Sequence, residues 1–149
     1  MDGLTTALRE ARVLYLDTAP LIYAIEDHPT FGPVVGQVLE AVDVGRVRAV
    51  SSTLALAEIL VQPYRRGRAD LVARYREILA GSPNLQLLAL DDRIAAEAAR
   101  IRASLDIRLP DAAHLATAVV AGADTFVTND VRLRPFREVR VVLLRDLLG

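Results

Sequence analysis

Asp17, Glu58, Asp111 and Asp130 are the side chains of this 149-residue chain with the most obvious chemical potential. Asp17 directly follows the apolar run VLYL at 13–16, and Asp130 follows TFVT at 125–128 by way of Asn129. Glu58 is the single polar residue between Leu54 and Val61, and Asp111 stands just after Pro110. Brought together, two carboxylates repel by about 4 kcal/mol at 4 Å under an effective dielectric near 20, so such a cluster needs cations. Arginine can supply them, but an all-oxygen pocket is what Mg²⁺ or Mn²⁺ prefers, with open positions for water and phosphate oxygens. A pair of such ions would activate a water and stabilise the leaving oxygen of a phosphodiester.

Each acid also has an ordinary reading. Asp17 and Asp130 suit turns or helix N-caps after a strand. Asp111 sits where a helix dipole favours a carboxylate. Glu58 is either the one solvent-facing position of its helix or a buried ligand, and its spacing from Leu54 and Val61 puts it on a face that would otherwise be core. What favours the functional reading is that four acids from four distant segments map to one edge of the expected sheet.

Composition narrows the alternatives. The chain has no Cys, which excludes disulfide scaffolds, thiolate nucleophiles and cysteine-based metal sites. All 18 basic residues are arginine, so the P-loop lysine and every lysine nucleophile or base are absent. His28 and His114 are the only imidazoles, too few for a multi-histidine metal site.

The elements that must position these acids are legible as alternating patterns. Runs at 13–16, 47–51, 85–90, 125–128 and 139–144 read as strands. Between them, 92–105 places Ile94, Ala98, Ile101 and Leu105 on one helical face, with Asp91 or Asp92 as its cap. Further helices fit 70–80 and 110–121, the latter opened by Pro110 and closed before Gly122. A helix beginning at Thr53 carries Glu58. Strands alternating with helices predict a three-layer α/β/α domain with a mainly parallel sheet, whose ligands bind beyond the carboxyl ends of the strands. With 52% hydrophobic and 25% charged residues and no low-complexity linker, residues 1–149 are expected to form one domain, 1–12 being an N-terminal extension. No secretory signal is visible and the apolar run 112–123 is too short to span a bilayer, so a cytoplasmic protein is expected.

A net charge of -1 argues at first against a nucleic-acid substrate, but local clusters differ from the whole. Arg65, Arg66, Arg68, Arg74 and Arg76 face only Asp70 within 62–76, as either phosphate contacts or a solvated helix face. Tyr64 and Tyr75 fit base stacking or core-edge packing equally.

The blocks YLDTAPLIYAIE (15–26), SSTLALAEIL (51–60), LPDAAHLATA (109–118) and TFVTND (125–130) together resemble the PIN domain family, most closely the VapC-type toxins of bacterial toxin/antitoxin pairs. The likeness runs from about Leu14 to Val142. It implies an Mg²⁺- or Mn²⁺-dependent endoribonuclease whose acids match Asp17, Glu58, Asp111 and Asp130, with Thr18, Thr128 and Asn129 in support. It further implies a homodimer held inactive by a small antitoxin. The sequence departs from many relatives in the dozen residues before Val13, which bring an extra N-terminal helix or the position of the start codon into question. His114 is not carried over: the preferred reading is a packed or exposed helical histidine, and His28 reads as a loop residue.

On this reading Asp17, Asp111 and Asp130 place the metal, Glu58 is a ligand or orients the attacking water, and cleavage leaves a 5′-phosphate and a 3′-hydroxyl. Aspartyl-phosphate enzymes share the sheet-edge acids but lean on a lysine that this chain lacks. The remaining alternative is a PIN fold kept as a non-catalytic RNA- or protein-binding module.

Overall fold

The computed structural model describes residues 3–148. Five strands, β1 (Val13–Leu16), β2 (Arg48–Ser52), β3 (Leu85–Leu88), β4 (Thr125–Thr128) and β5 (Arg140–Leu143), form one sheet in the order β3-β2-β1-β4-β5. Every pairing is parallel, so the expected mainly parallel sheet is wholly parallel. Helix α1 (Gly3–Glu10) precedes the first strand, and the crossovers that parallel strands need are supplied by α2 (Thr18–Ile25), α3 (Gly32–Asp43), α4 (Thr53–Arg65), α5 (Ala69–Gly81), α6 (Asp92–Ser104) and α7 (Leu109–Ala121).

Alternation along each strand feeds two cores. Leu14, Leu16, Ala49 and Val127 face a cluster built with α1 to α5, while Tyr15, Val50 and Phe126 face a second cluster built with α6 and α7. The result is the three-layer α/β/α arrangement. β1 lies at the centre of the sheet, flanked by β2 and β4, so the residues that follow these three strands emerge side by side.

Local chemistry sets the helix ends. Asp91, of the two candidates, caps α6 by accepting from Ile94 N at 2.9 Å. Gly122 closes α7 at φ 75°, a left-handed conformation that favours glycine. β3 stops at Leu88, two residues short of the expected run, and β5 ends at Leu143 because Leu144 enters a 3-10 turn, Leu144–Leu147. The extension before β1 forms α1, which packs its buried Leu4 against the first core.

Glu58 is not on a core face. Ala55, Ile59, Leu60 and Pro63 are the buried positions of α4, leaving Glu58 exposed, with Leu54 half-buried and Val61 exposed. The stripe facing the sheet is offset by one residue from the one through Leu54 and Val61.

Candidate active site

Asp17 and Thr18 sit where β1 gives way to α2, and Thr128, Asn129 and Asp130 sit where β4 ends. α4, which follows β2, carries Glu58, while the first turn of α7 brings Asp111. All seven line one open cleft of about 440 Å³ at the carboxyl edge of the sheet, with Arg108, His114 and Arg132. A larger cleft of about 510 Å³ lies beside the residues preceding β1 and β2, but its only carboxylate is Glu40. Of these two clefts, the one at the carboxyl edge of the sheet is where the acids converge.

The ordinary roles are present too. Asp17 caps α2, its Oδ1 accepting from Thr18 N at 2.9 Å, and Asp130 caps a 3-10 turn, Val131–Leu133. Capping uses only part of each carboxylate. Asp17 Oδ2 accepts from Thr128 Oγ1 at 2.7 Å, a bond across 111 residues of sequence that locks the first and last acidic segments together. Burial pushes the Asp17 carboxyl above its usual range, against the pull of His114 and Thr128.

Glu58 belongs to a chain of hydrogen bonds. Its Oε1 accepts from Thr18 Oγ1 at 3.0 Å and faces His114 Nε2 at 2.5 Å. His114 Nδ1 lies 2.6 Å from the Tyr15 hydroxyl, which is also 3.1 Å from Ser52 Oγ. Nε2–H donates to Glu58, while Nδ1 shares a hydrogen bond with the Tyr15 hydroxyl whose direction follows the protonation state of the ring. Burial pulls the His114 pKa down, but the bond to Glu58 and the charges of Asp17, Glu58 and Asp111 outweigh it and raise it. The same bond to His114 holds Glu58 below its usual range. His114 is therefore a packed helical histidine, 3% exposed, whose two nitrogens nonetheless serve the cleft. Sequence reasoning missed that role, although its position three residues after Asp111 places both on one helical face.

Arg108 and Arg132 were also missed. Arg132 forms a bidentate pair with Asp130, Nη2 to Oδ2 at 2.6 Å and Nε to Oδ1 at 2.9 Å, and this pairing holds Asp130 below its ordinary pKa. The signal was present as a spacing of two residues. Arg65, Arg66 and Arg68 do not line the cleft: Arg68 pairs with Asp70, and Arg66 stands 3.8 Å from Glu26. Tyr75 cannot stack on bases, because it is fully buried and donates its hydroxyl to Glu26. Tyr64 is exposed.

The donor set suits a hard divalent cation. Asp111 Oδ2 and Asn129 Oδ1 are buried and accept no hydrogen bond, an arrangement that costs free energy unless something else satisfies them. Oxygen donors of this kind fit Mg²⁺ or Mn²⁺. Among the described residues no three carboxylate or imidazole side chains enclose a metal position as they stand. Asp130 and Glu58 are engaged by Arg132 and His114 instead.

Comparison with known proteins follows the same lines. The family model described as PIN domain matches residues 14–141. No curated protein matches the sequence. Among solved structures, VapBC2 from Rickettsia felis bound to a promoter DNA fragment is similar at TM-score 0.72 and 18% identity, over 88% of this chain and 98% of that one. FitAcB from Neisseria gonorrhoeae is similar at TM-score 0.67 and 20% identity, over 90% and 99%. VapC20 of Mycobacterium tuberculosis, described as a sarcin-ricin loop cleaving toxin, is similar at TM-score 0.65 and 14% identity, over 85% and 98%. At these identities the likeness speaks for the fold, and the family match, which spans most of the sequence, settles membership: the chain belongs to the PIN domain family.

Proposed function

We propose that this chain is an Mg²⁺- or Mn²⁺-dependent endoribonuclease, the toxin of a toxin/antitoxin pair. The observation that carries the reading is the convergence of Asp17, Glu58, Asp111 and Asp130, from four separate segments, on one open cleft in which Asp111 Oδ2 is left without a hydrogen bond. Asp17, Asp111 and Asp130 would hold the metal, with Glu58 as a further ligand or the group that orients water. The metal's chemistry there is activation of water and stabilisation of the leaving oxygen. Thr128 orients Asp17, and Thr18 and His114 orient Glu58. Arg108 and Arg132 place positive charge at the mouth of the cleft, where it offsets the charge of an approaching phosphodiester. Cleavage by water would leave a 5′-phosphate and a 3′-hydroxyl.

Partners belong to the same proposal. Similar structures include a toxin-antitoxin complex from Klebsiella pneumoniae and DNA-bound VapBC from Salmonella typhimurium, which supports a cognate antitoxin for this chain. A cytoplasmic homodimer is part of the reading, with Arg65, Arg66 and Arg68 as phosphate contacts outside the cleft. Among the described residues no helix is long and apolar enough to cross a membrane.

Brief induction of wild type and Asp111→Asn in a bacterial host, with sequencing of new 5′-monophosphate RNA ends, tests the activity without a prior choice of substrate. Discrete new ends and growth arrest are expected with wild type alone. Asp111→Asn keeps the side chain's shape, so it should remain folded while cleavage is lost. Equal cleavage by the variant would remove Asp111 from the site. Binding of Mn²⁺ by folded wild type without cleavage of any RNA would favour the non-catalytic PIN-fold module.

A further inference from the structure

Arg132 occupies a position that the cleft's own chemistry makes consequential. Asp130 Oδ1 accepts from both Arg132 N at 3.0 Å and Arg132 Nε at 2.9 Å, while Oδ2 accepts from Nη2. Three donors from one residue thus engage both oxygens of Asp130. The same Nη2 stands 3.7 Å from Asp111 Oδ2, the buried oxygen that receives no hydrogen bond, so one guanidinium lies between two of the cleft's acids. Arg108 is the other guanidinium near Asp111, its Nε 3.8 Å from the same oxygen. An arginine between two carboxylates supplies the positive charge that their proximity requires, in the region where a divalent ion would supply it.

We propose that Arg132 is an internal counter-cation that competes with the divalent ion for Asp130 and Asp111 and must turn outward for the ion to be bound. The inference rests on the reading of this cleft as a metal site. It accounts for two features together: an acid-lined cleft, and the absence among the described residues of three donors converged on a metal position. The exchange is feasible because the Arg132 side chain is 57% exposed, and ion pairs at exposed positions hold weakly against a competing charge. Its backbone need not move, since Asp130 keeps the bond from Arg132 N as the cap of the 3-10 turn when the guanidinium leaves.

Calorimetric titration of the full chain with MnCl₂, without RNA, tests this directly. Arg132→Gln should bind Mn²⁺ about three- to fivefold more tightly than wild type, the upper part of the range expected for removing an exposed competitor, as its bidentate geometry favours. Arg132→Lys, which keeps the charge but loses the planar fork, should fall between them. Arg134→Gln provides the matched control, because it removes the same charge from a guanidinium paired with Asp146 outside the cleft, and its affinity should stay within about twofold of wild type. Unchanged or weaker Mn²⁺ binding by Arg132→Gln overturns the proposal while leaving the metal site in place. Equal tightening by Arg134→Gln overturns it as well, in favour of a general field effect. Absence of Mn²⁺ binding by wild type and every variant removes the metal reading, and this inference with it.

Discussion

Thr128 shows how one side chain sets the behaviour of two others. Its hydroxyl donates to Asp17 Oδ2 and accepts from the backbone N–H of Asp130 at 3.1 Å, serving two acids from one position at the end of β4. Thr128→Val preserves shape and β-branching but removes both interactions, leaving a largely buried carboxylate short of a donor. We expect cleavage to fall about 10- to 100-fold, the scale seen when a group supporting a metal ligand is lost. Stability should fall by about 1–3 kcal/mol. Cleavage rates and urea unfolding of Thr128→Val beside Thr128→Ser check this, since the serine restores the hydroxyl and should recover most of the activity. A valine variant with full activity would show that Asp17 needs no such support. His114 works by the same logic, fixing Glu58 with one nitrogen while the other is held at the Tyr15 hydroxyl.

The helices differ in how openly their sequences declare them. α6 and α7 were readable because their caps and apolar spacing agree: Asp91 starts the first, and Pro110 and Gly122 bracket the second. α2 and α3 were not assigned from sequence. α3 contains Gly32, Pro33, Gly36 and four valines, a composition of weak intrinsic helix preference, and it is held by burying Val34, Val35, Val38 and Val42 against the first core. Tertiary burial decided what propensity did not. A helix terminus also yields a test separable from function. A Cβ on Gly122 would meet nothing within 4 Å, so Gly122→Ala is disfavoured only by the positive φ of 75°. It should cost about 1 kcal/mol, or about 2–4 °C in Tm. Cleavage should be unaffected, because Gly122 lies at the opposite end of α7 from Asp111, about 16 Å away at 1.5 Å per residue. A change in rate exceeding that in stability would show that the two ends of α7 are coupled.

For the molecule as a whole, the cores and the cleft are distinct structures. Both apolar clusters close on the faces of the sheet without involving the four acids, so metal is not needed to hold the fold. Chelation by EDTA should therefore abolish cleavage reversibly while shifting the thermal midpoint by no more than about 2 °C, the effect of a ligand bound only modestly above its dissociation constant. Circular dichroism melts with and without EDTA, alongside RNA cleavage before and after restoring Mn²⁺, provide the measurement. Collapse of the far-ultraviolet signal on chelation would mean that the cleft is instead part of what stabilises the fold.

The sequence by itself determined the alternation of strands and helices, the largely apolar runs of a buried parallel sheet, and the four acids carried by four separate segments. These are local properties, set by side-chain period, capping chemistry and the charge of individual residues. Only the tertiary structure decided the strand order, the offset that turned Glu58 from the core to the cleft, and the engagement of His114 and Arg132 with the acids. The Tyr15–His114 and Thr128–Asp17 hydrogen bonds join residues 99 and 111 positions apart, and no local pattern specifies which distant polar groups will meet. That choice followed from burying the two faces of one sheet, after which each buried polar group needed a partner within reach.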